Sequence, residues 1–100
     1  MDILISGKGI EVTESMKNYV NERMTRLERF WGSLIRCHVE VSLNKHHKQG
    51  RIFATYAWIE SPGKDIRATV DATEFNEVID LLYEKVERLV RKAKERATHE

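Results

Sequence analysis

The stretch that decides the fold runs from Leu34 to Val70, LIRCHVEVSLNKHHKQGRIFATYAWIESPGKDIRATV. From Leu34 to Asn44 the residues alternate. Ile35, Cys37, Val39, Val41 and Leu43 fall on one face and Arg36, His38, Glu40, Ser42 and Asn44 on the other, the period of a half-buried strand. The polar loop Lys45-His46-His47-Lys48-Gln49-Gly50 turns the chain back. Arg51 to Glu60, rich in aromatic and β-branched residues, then completes a hairpin. Ser61-Pro62-Gly63-Lys64 reads as a tight turn, with Pro suited to its second position and Gly to its third. A third strand, Asp65 to Val70, directs Ile66, Ala68 and Val70 inward.

Working outward, Asp2 to Ser6 is a short strand that ends at the turn Gly7-Lys8-Gly9. Thr13 stands at an N-cap position and Glu14 at the positive end of the helix dipole, so a helix starts there. Met16, Tyr19, Val20, Leu27, Phe30 and Trp31 recur at helical spacing, and Gly32 is the stop. Arg23 falls within that apolar stripe, with Arg26 one turn further along the same edge. Its bland explanation is that the methylenes lie on the core while the guanidinium reaches water. On the other side, Asp71-Ala72-Thr73-Glu74 resembles a capping box and starts the last helix. There Phe75, Val78, Ile79, Leu82, Val86, Leu89, Val90 and Ala93 form one stripe.

The order is therefore β-α-β-β-β-α. A strand-helix-strand crossover sets the first two strands parallel, and each helix has one stripe to bury. The expected class is α+β: a single domain over residues 1–100, its two helices packed on one face of a four-stranded mixed sheet, in a layout like that of double-stranded-RNA-binding domains. The last helix, about 36 Å long at 1.5 Å per residue, outruns strands of ordinary length, so its basic C-terminal end should overhang the sheet.

Composition narrows the function by exclusion. One hundred residues with 41% hydrophobic content suit one modest core. Seventeen basic and sixteen acidic residues leave a net charge of +1, so bulk charge announces no nucleic-acid partner and only its distribution can. The lone cysteine, Cys37, excludes an internal disulfide and fits a reducing compartment. No signal peptide and no membrane-spanning run is visible, so a cytoplasmic protein without membrane association is expected. Cys37 and His38 are strand neighbours whose side chains point to opposite faces, which rules out pairing as nucleophile and base. His46 and His47 lack a second cluster at ligand spacing. No enzyme, metal, cofactor or small-molecule substrate is expected.

The remaining chemistry is cationic. On the last helix Lys85, Arg88, Lys92 and Arg96 line one flank, whereas Glu77, Asp80, Glu84 and Glu87 gather on the back and toward the other. Arg91, Lys94 and Glu95 blur the division. A helix needing only solubility interleaves its signs, so the one-sided row speaks for a partner. If the basic flanks of the two helices face each other, Arg23 and Arg26 share a groove with Lys85, Arg88 and Lys92. Such a row, extended by Arg91, Lys94 and Arg96, suits a phosphate backbone. The carboxylates on the helix backs are expected to be simply solvated.

The segments Ile5 to Val20 (ISGKGIEVTESMKNYV), Glu22 to Trp31 (ERMTRLERFW) and Glu74 to Lys94 (EFNEVIDLLYEKVERLVRKAK) resemble the ribosome hibernation promoting factor and ribosome-associated inhibitor family, also called sigma-54 modulation proteins. The resemblance covers essentially the whole chain and centres on Ile79-Asp80 followed by Lys85, Arg88 and Lys92. It implies the same β-α-β-β-β-α fold, in a short-type member or in the matching part of a long one. Such a protein binds the decoding region of the small ribosomal subunit under stress or in stationary phase and blocks mRNA and tRNA. It also implies that Arg23, Arg26, Lys85, Arg88, Lys92 and Lys94 face rRNA, which turns Arg23 from a snorkelling residue into a positioned one; Arg91, from the extended row, completes the candidate rRNA-binding set. No further partner is implied, and the protein is expected to be monomeric off the ribosome. Asn76 and Val78 depart from the family pattern, which commonly has Tyr and Ala there, so no base-stacking aromatic is present at 76.

Two other readings compete. A double-stranded-RNA-binding domain places a Lys cluster at the start of its last helix, where this chain has Glu74, Glu77 and Asp80. A protein-interaction module would use the uncovered sheet face, where Tyr56, Trp58 and Leu4 could form an apolar patch.

Overall fold

The computed structural model describes residues 1–47 and 50–98, with the side chains of 46, 47 and 98 left out. The loop tip Lys48-Gln49, the metal-ligand question at the His46 and His47 side chains, and the tail His99-Glu100 lie outside the described residues. The chain runs β1 (Asp2–Lys8), α1 (Glu14–Thr25), a short 3-10 turn (Arg26–Arg29), β2 (Arg36–His47), β3 (Gly50–Glu60), β4 (Ile66–Ala72) and α2 (Phe75–Thr98). The four strands form one sheet in the order β1-β2-β3-β4. β1 pairs parallel to β2, and the other two pairings are antiparallel. This is the α+β mixed sheet that the sequence predicts.

Alternation decides which face is covered. Cys37, Val39, Val41, Phe53, Ala57, Ile59, Ile66 and Ala68 turn to the helical side and are buried. They meet Val20, Met24 and Leu27 from the first helical segment and Val78, Ile79, Leu82, Val86 and Val90 from α2 in a single cluster. Both helices thus close the same face. Full burial of such aliphatic side chains contributes about 1.5–3 kcal/mol each, the dominant favourable term.

Local signals fix the element ends, with five departures from expectation, the first being that β1 continues through Gly7 and Lys8, opposite Val41 and Ser42, before the chain turns. Thr13 caps α1 as expected: its Oγ1 accepts from the Met16 N–H at 3.1 Å. The helix does not run unbroken to Trp31, however. It tightens into the 3-10 turn after Thr25, and the Phe30 and Trp31 amides both donate to the Leu27 carbonyl. β2 begins at Arg36, so Leu34 is buried and Ile35 is 52% exposed instead of inward. Its amide still donates to the Glu60 carbonyl at 2.9 Å at the sheet's end. β2 also runs past Asn44 to His47, with a register shift there. Asp71 is no helix cap, because it belongs to β4 opposite Ala54. The first α2 bond instead runs from the Val78 amide to the Glu74 carbonyl.

The β3–β4 turn matches its sequence signal. Gly63 has φ +105, the left-handed region that the third turn position requires, and Ser61 Oγ donates to the Lys64 carbonyl at 2.6 Å. β4 has seven residues, about 23 Å at the usual rise, whereas the 24 residues of α2 span about 36 Å. Consequently the last two turns of α2 extend over the β3–β4 turn, and Arg91 to Ala97 are exposed apart from Ala93.

Candidate nucleic-acid interface

The rotation of α2 is set by its stripe, since Val78, Ile79, Leu82, Val86 and Val90 are all fully buried. With that stripe on the sheet, one flank of α2 faces α1 and the other overlies β4. The α1 side carries Asp80, Tyr83, Glu87 and Arg91. The β4 side carries Lys85, Lys92 and Arg96: Lys85 Nζ donates to the Thr69 carbonyl of β4 at 3.1 Å, and Lys92 and Arg96 line a cleft with the β3–β4 turn. Arg88 lies between this flank and the exposed back. The basic row therefore does not share a groove with Arg23 and Arg26. It faces the opposite way, because the buried stripe fixes the helix rotation and the acidic flank is the one turned to α1.

The seam between the helices is a charge-matched network. Asp80 Oδ1 accepts from the Tyr19 hydroxyl at 2.7 Å and from Arg23 Nε at 2.8 Å, while Arg23 Nη2 donates to the Tyr19 oxygen at 2.9 Å. The guanidinium carbon also lies 4.8 Å from the Tyr19 ring centroid. Arg23 is thus neither a simple snorkelling residue nor a free cation. Two of its five N–H groups are used inside the protein. Asp80, expected to be merely solvated, is the hinge of the network. Further along, Arg91 stacks at 4.2 Å from the Phe30 ring centroid and pairs with Glu87 at 2.9 Å. Arg26 lies close enough to Asp80 to favour its ionised form. Lys94, about four turns beyond Asp80, falls on this same side.

Burial by itself would raise the Asp80 carboxyl, but the Tyr19 hydroxyl, the Arg23 guanidinium and the nearby Arg26 charge outweigh it and hold the group below the ordinary carboxylate range. Burial first, and then the Asp80 carboxylate that accepts its hydrogen bond, push the Tyr19 phenol up against the opposing pull of Arg23. A carboxyl whose folded value is depressed adds stability above its unfolded value of about 3.9 and loses it as pH falls through the folded value. Urea unfolding should therefore find Asp80→Asn less stable than the parent at pH 7. The gap should shrink as the pH is lowered to about 3, below the unfolded value. A gap that does not change with pH would remove the carboxylate from this role.

The β4 flank is different. Arg88, Lys92 and Arg96 are exposed and make no ion pair with any described residue, and the same holds for Lys64 and Arg67 across the turn. The seven candidate positions thus divide. Arg23 and Arg91 sit in the seam, bonded to Asp80 and Glu87, and Arg26 and Lys94 are on the same side. Lys85, Arg88 and Lys92 stand apart from carboxylate partners. The Tyr19–Arg23–Asp80 network escaped sequence reasoning. Its signal was present without a direction: Tyr19 and Arg23, four residues apart at the edge of a stripe, mark a polar seam that any acidic residue of α2 could have completed.

Elsewhere, Cys37 is fully buried in the core, and burial pushes its thiol up to about 12, so it stays protonated and unreactive at neutral pH. His38 points to the other sheet face, where its Nε2 lies 3.0 Å from Ser6 Oγ. Among the described residues no three His, Cys, Asp or Glu side chains gather as a metal site, and no helix is long and apolar enough to cross a membrane. On the open sheet face Leu4 is 51% and Tyr56 38% exposed, but β2 separates them, with His38 opposite Leu4 and Glu40 opposite Tyr56. The face is mixed, not a continuous apolar patch.

The chain is thus an α+β domain with two helices on one face of a mixed sheet and a cationic flank on α2 that makes no ion pair with the described residues. Residues 3–98 match the family described as sigma 54 modulation protein / S30EA ribosomal protein, and the chain belongs to that family. It is 29% identical over 96 residues to the ribosome hibernation promoting factor of Pseudomonas putida, covering 96% of this chain and 89% of that one. Against the ribosome hibernation promoting factor of Azotobacter vinelandii the identity is 30% over 96 residues, covering 96% and 85%. Among solved structures, a ribosomal subunit interface protein from Coxiella burnetii superposes with a TM-score of 0.83 at 21% identity, covering 94% of this chain and 98% of that one. The N-terminal domain of Thermus thermophilus Protein Y gives 0.81 at 22% identity, covering 92% and 98%. These two structures establish the shared fold.

Proposed function

We propose that this protein is a cytoplasmic ribosome hibernation factor that acts by binding, without catalysis. It docks in the decoding region of the small ribosomal subunit, excludes mRNA and the anticodon ends of tRNA, and so holds translation off under stress or in stationary phase. The observation that carries the reading is the unmatched cationic flank of α2, Arg88, Lys92 and Arg96 with Lys85 beside them, in a chain of this family. Flexible cations one helical turn apart suit successive phosphates, and each contact formed releases condensed counterions. Arg23, Arg26, Arg91 and Lys94 present a second row from the helix seam. Arg23, held by Asp80 and Tyr19, keeps three N–H groups for a phosphate.

Off the ribosome the protein is monomeric. The double-stranded-RNA alternative is disfavoured by the first turn of α2, which carries Glu77 and no Lys. The interaction-module alternative lacks a continuous apolar patch.

Co-sedimentation tests the reading. The protein should pellet with small subunits and intact ribosomes, and be displaced by mRNA and tRNA together. Four or more phosphate contacts give a log-log salt slope of about −3 or steeper. Failure to pellet at low salt would sink it.

A further inference from the structure

We propose that the cleft between the C-terminal half of α2 and the β3–β4 turn is a single-nucleotide site, taking a base inside and its phosphate on the rim. This deepens the ribosome-binding reading and rests on it only for the source of the nucleotide. The cleft encloses about 490 Å³, within the range of small-ligand sites. Its walls include Trp31, Ile66, Leu89 and Ala93, and Lys64, Lys92 and Arg96 come from its two sides. None of these three cations has an ion pair with a described residue.

The cleft's carboxylate, Asp65, is turned away. Its Oδ2 accepts from the Trp58 indole N–H at 3.0 Å, and Trp58 belongs to the open face of the sheet, opposite His38. Apolar lining that includes one aromatic, Trp31, with cations on both sides fits an aromatic base joined to a phosphate, since base stacking on an aromatic side chain is tolerant of sequence. An inorganic anion would leave the apolar wall unused, and an apolar ligand would leave the cations uncompensated. The nucleotide is either an unpaired residue of an RNA strand or a free mononucleotide, and the chemistry of the cleft is the same for both.

The test is an NMR titration of the full chain with guanosine and adenosine monophosphates in one arm and a single-stranded hexanucleotide RNA in the other. The readouts are the two indole N–H signals, with Trp31 the reporter and Trp58 the control. Binding should shift Trp31 and spare Trp58. Ala93→Phe, which fills the cleft without changing charge, should weaken binding about tenfold, the loss of one stacked base. Should that variant not fold, Lys92→Ser with Arg96→Ser serves instead.

Mononucleotide binding identifies a free ligand, and binding of the oligonucleotide alone identifies an RNA source. No Trp31 shift in either arm, or equal affinity in the filled variant, overturns the proposal. Ribosome co-sedimentation run alongside keeps the two readings apart. Pelleting without a Trp31 shift rejects the cleft and leaves hibernation standing, whereas a Trp31 shift without pelleting does the reverse.

Discussion

Reversing Arg88 and Lys92 together, as Arg88→Glu with Lys92→Glu, is expected to abolish co-sedimentation with ribosomes while the protein stays folded. Both residues are exposed and neither has an ion pair with a described residue, so in the free protein they have nothing to lose. Surface changes of this kind stay within about 0.5 kcal/mol each, which for a domain of this size shifts Tm by only a few degrees, roughly 4–8 °C per kcal/mol. On the ribosome the effect is large, because two attractions become two repulsions against a polyanion. Neutral variants at the same two positions, Arg88→Gln with Lys92→Gln, should keep weaker binding whose salt slope is flatter by about two, one for each lost phosphate contact. Thermal melts and pelleting assays on the same preparation check both halves. A variant that unfolds and binds in proportion to its folded fraction would assign these residues to the fold and remove them from the interface.

The largest effect on stability is expected from Leu82→Ala. Leu82 is fully buried in the middle of the α2 stripe, and deleting such a side chain costs about 2–5 kcal/mol through lost transfer energy and the cavity left behind. Against a total of about 5–15 kcal/mol that is a large share, and Tm should fall by roughly 10 °C or more. Denaturant unfolding measures the loss. At low temperature, where the variant is folded, ribosome binding should return to the parent's affinity, since Leu82 presents nothing to solvent. A loss below about 1 kcal/mol would mean that the packing around Leu82 collapses without a cavity.

The contrast between Leu82 and Arg88 shows what was readable in the chain. The alternation of Cys37, Val39 and Val41, the turn at Pro62-Gly63 and the stripe through Leu82 each act within a few residues. They placed every strand and both helices in order. Ends resting on tertiary support were read less well. The first helix gives way after Thr25 to a 3-10 turn that ends with Phe30 and Trp31 donating to the Leu27 carbonyl, and Asp71 pairs with Ala54 in the sheet instead of capping a helix. The candidate site divided the same way. That Lys85, Lys92 and Arg96 share a flank follows from helical periodicity, whereas the direction that flank faces depends on which side of α2 the first helix occupies. Arg23 was placed at the edge of the stripe by its spacing. Its partner Asp80, 57 residues later, could come only from the packed helices, and it gives the Ile79-Asp80 pair a physical meaning: Ile79 anchors the core and Asp80 ties the helices together.

The bond from Lys85 to the Thr69 carbonyl has a bearing on self-association. β4 is an outer strand of an open sheet, the kind of edge on which a second chain can add its own strand. At Thr69 the ammonium of Lys85 occupies a backbone acceptor of that edge, and Arg88, Lys92 and Arg96 continue beside it. A second copy approaching this edge must displace Lys85 and bring like charges into contact. The residues proposed to meet a polyanion thus also disfavour the addition of a second copy's strand at the β4 edge.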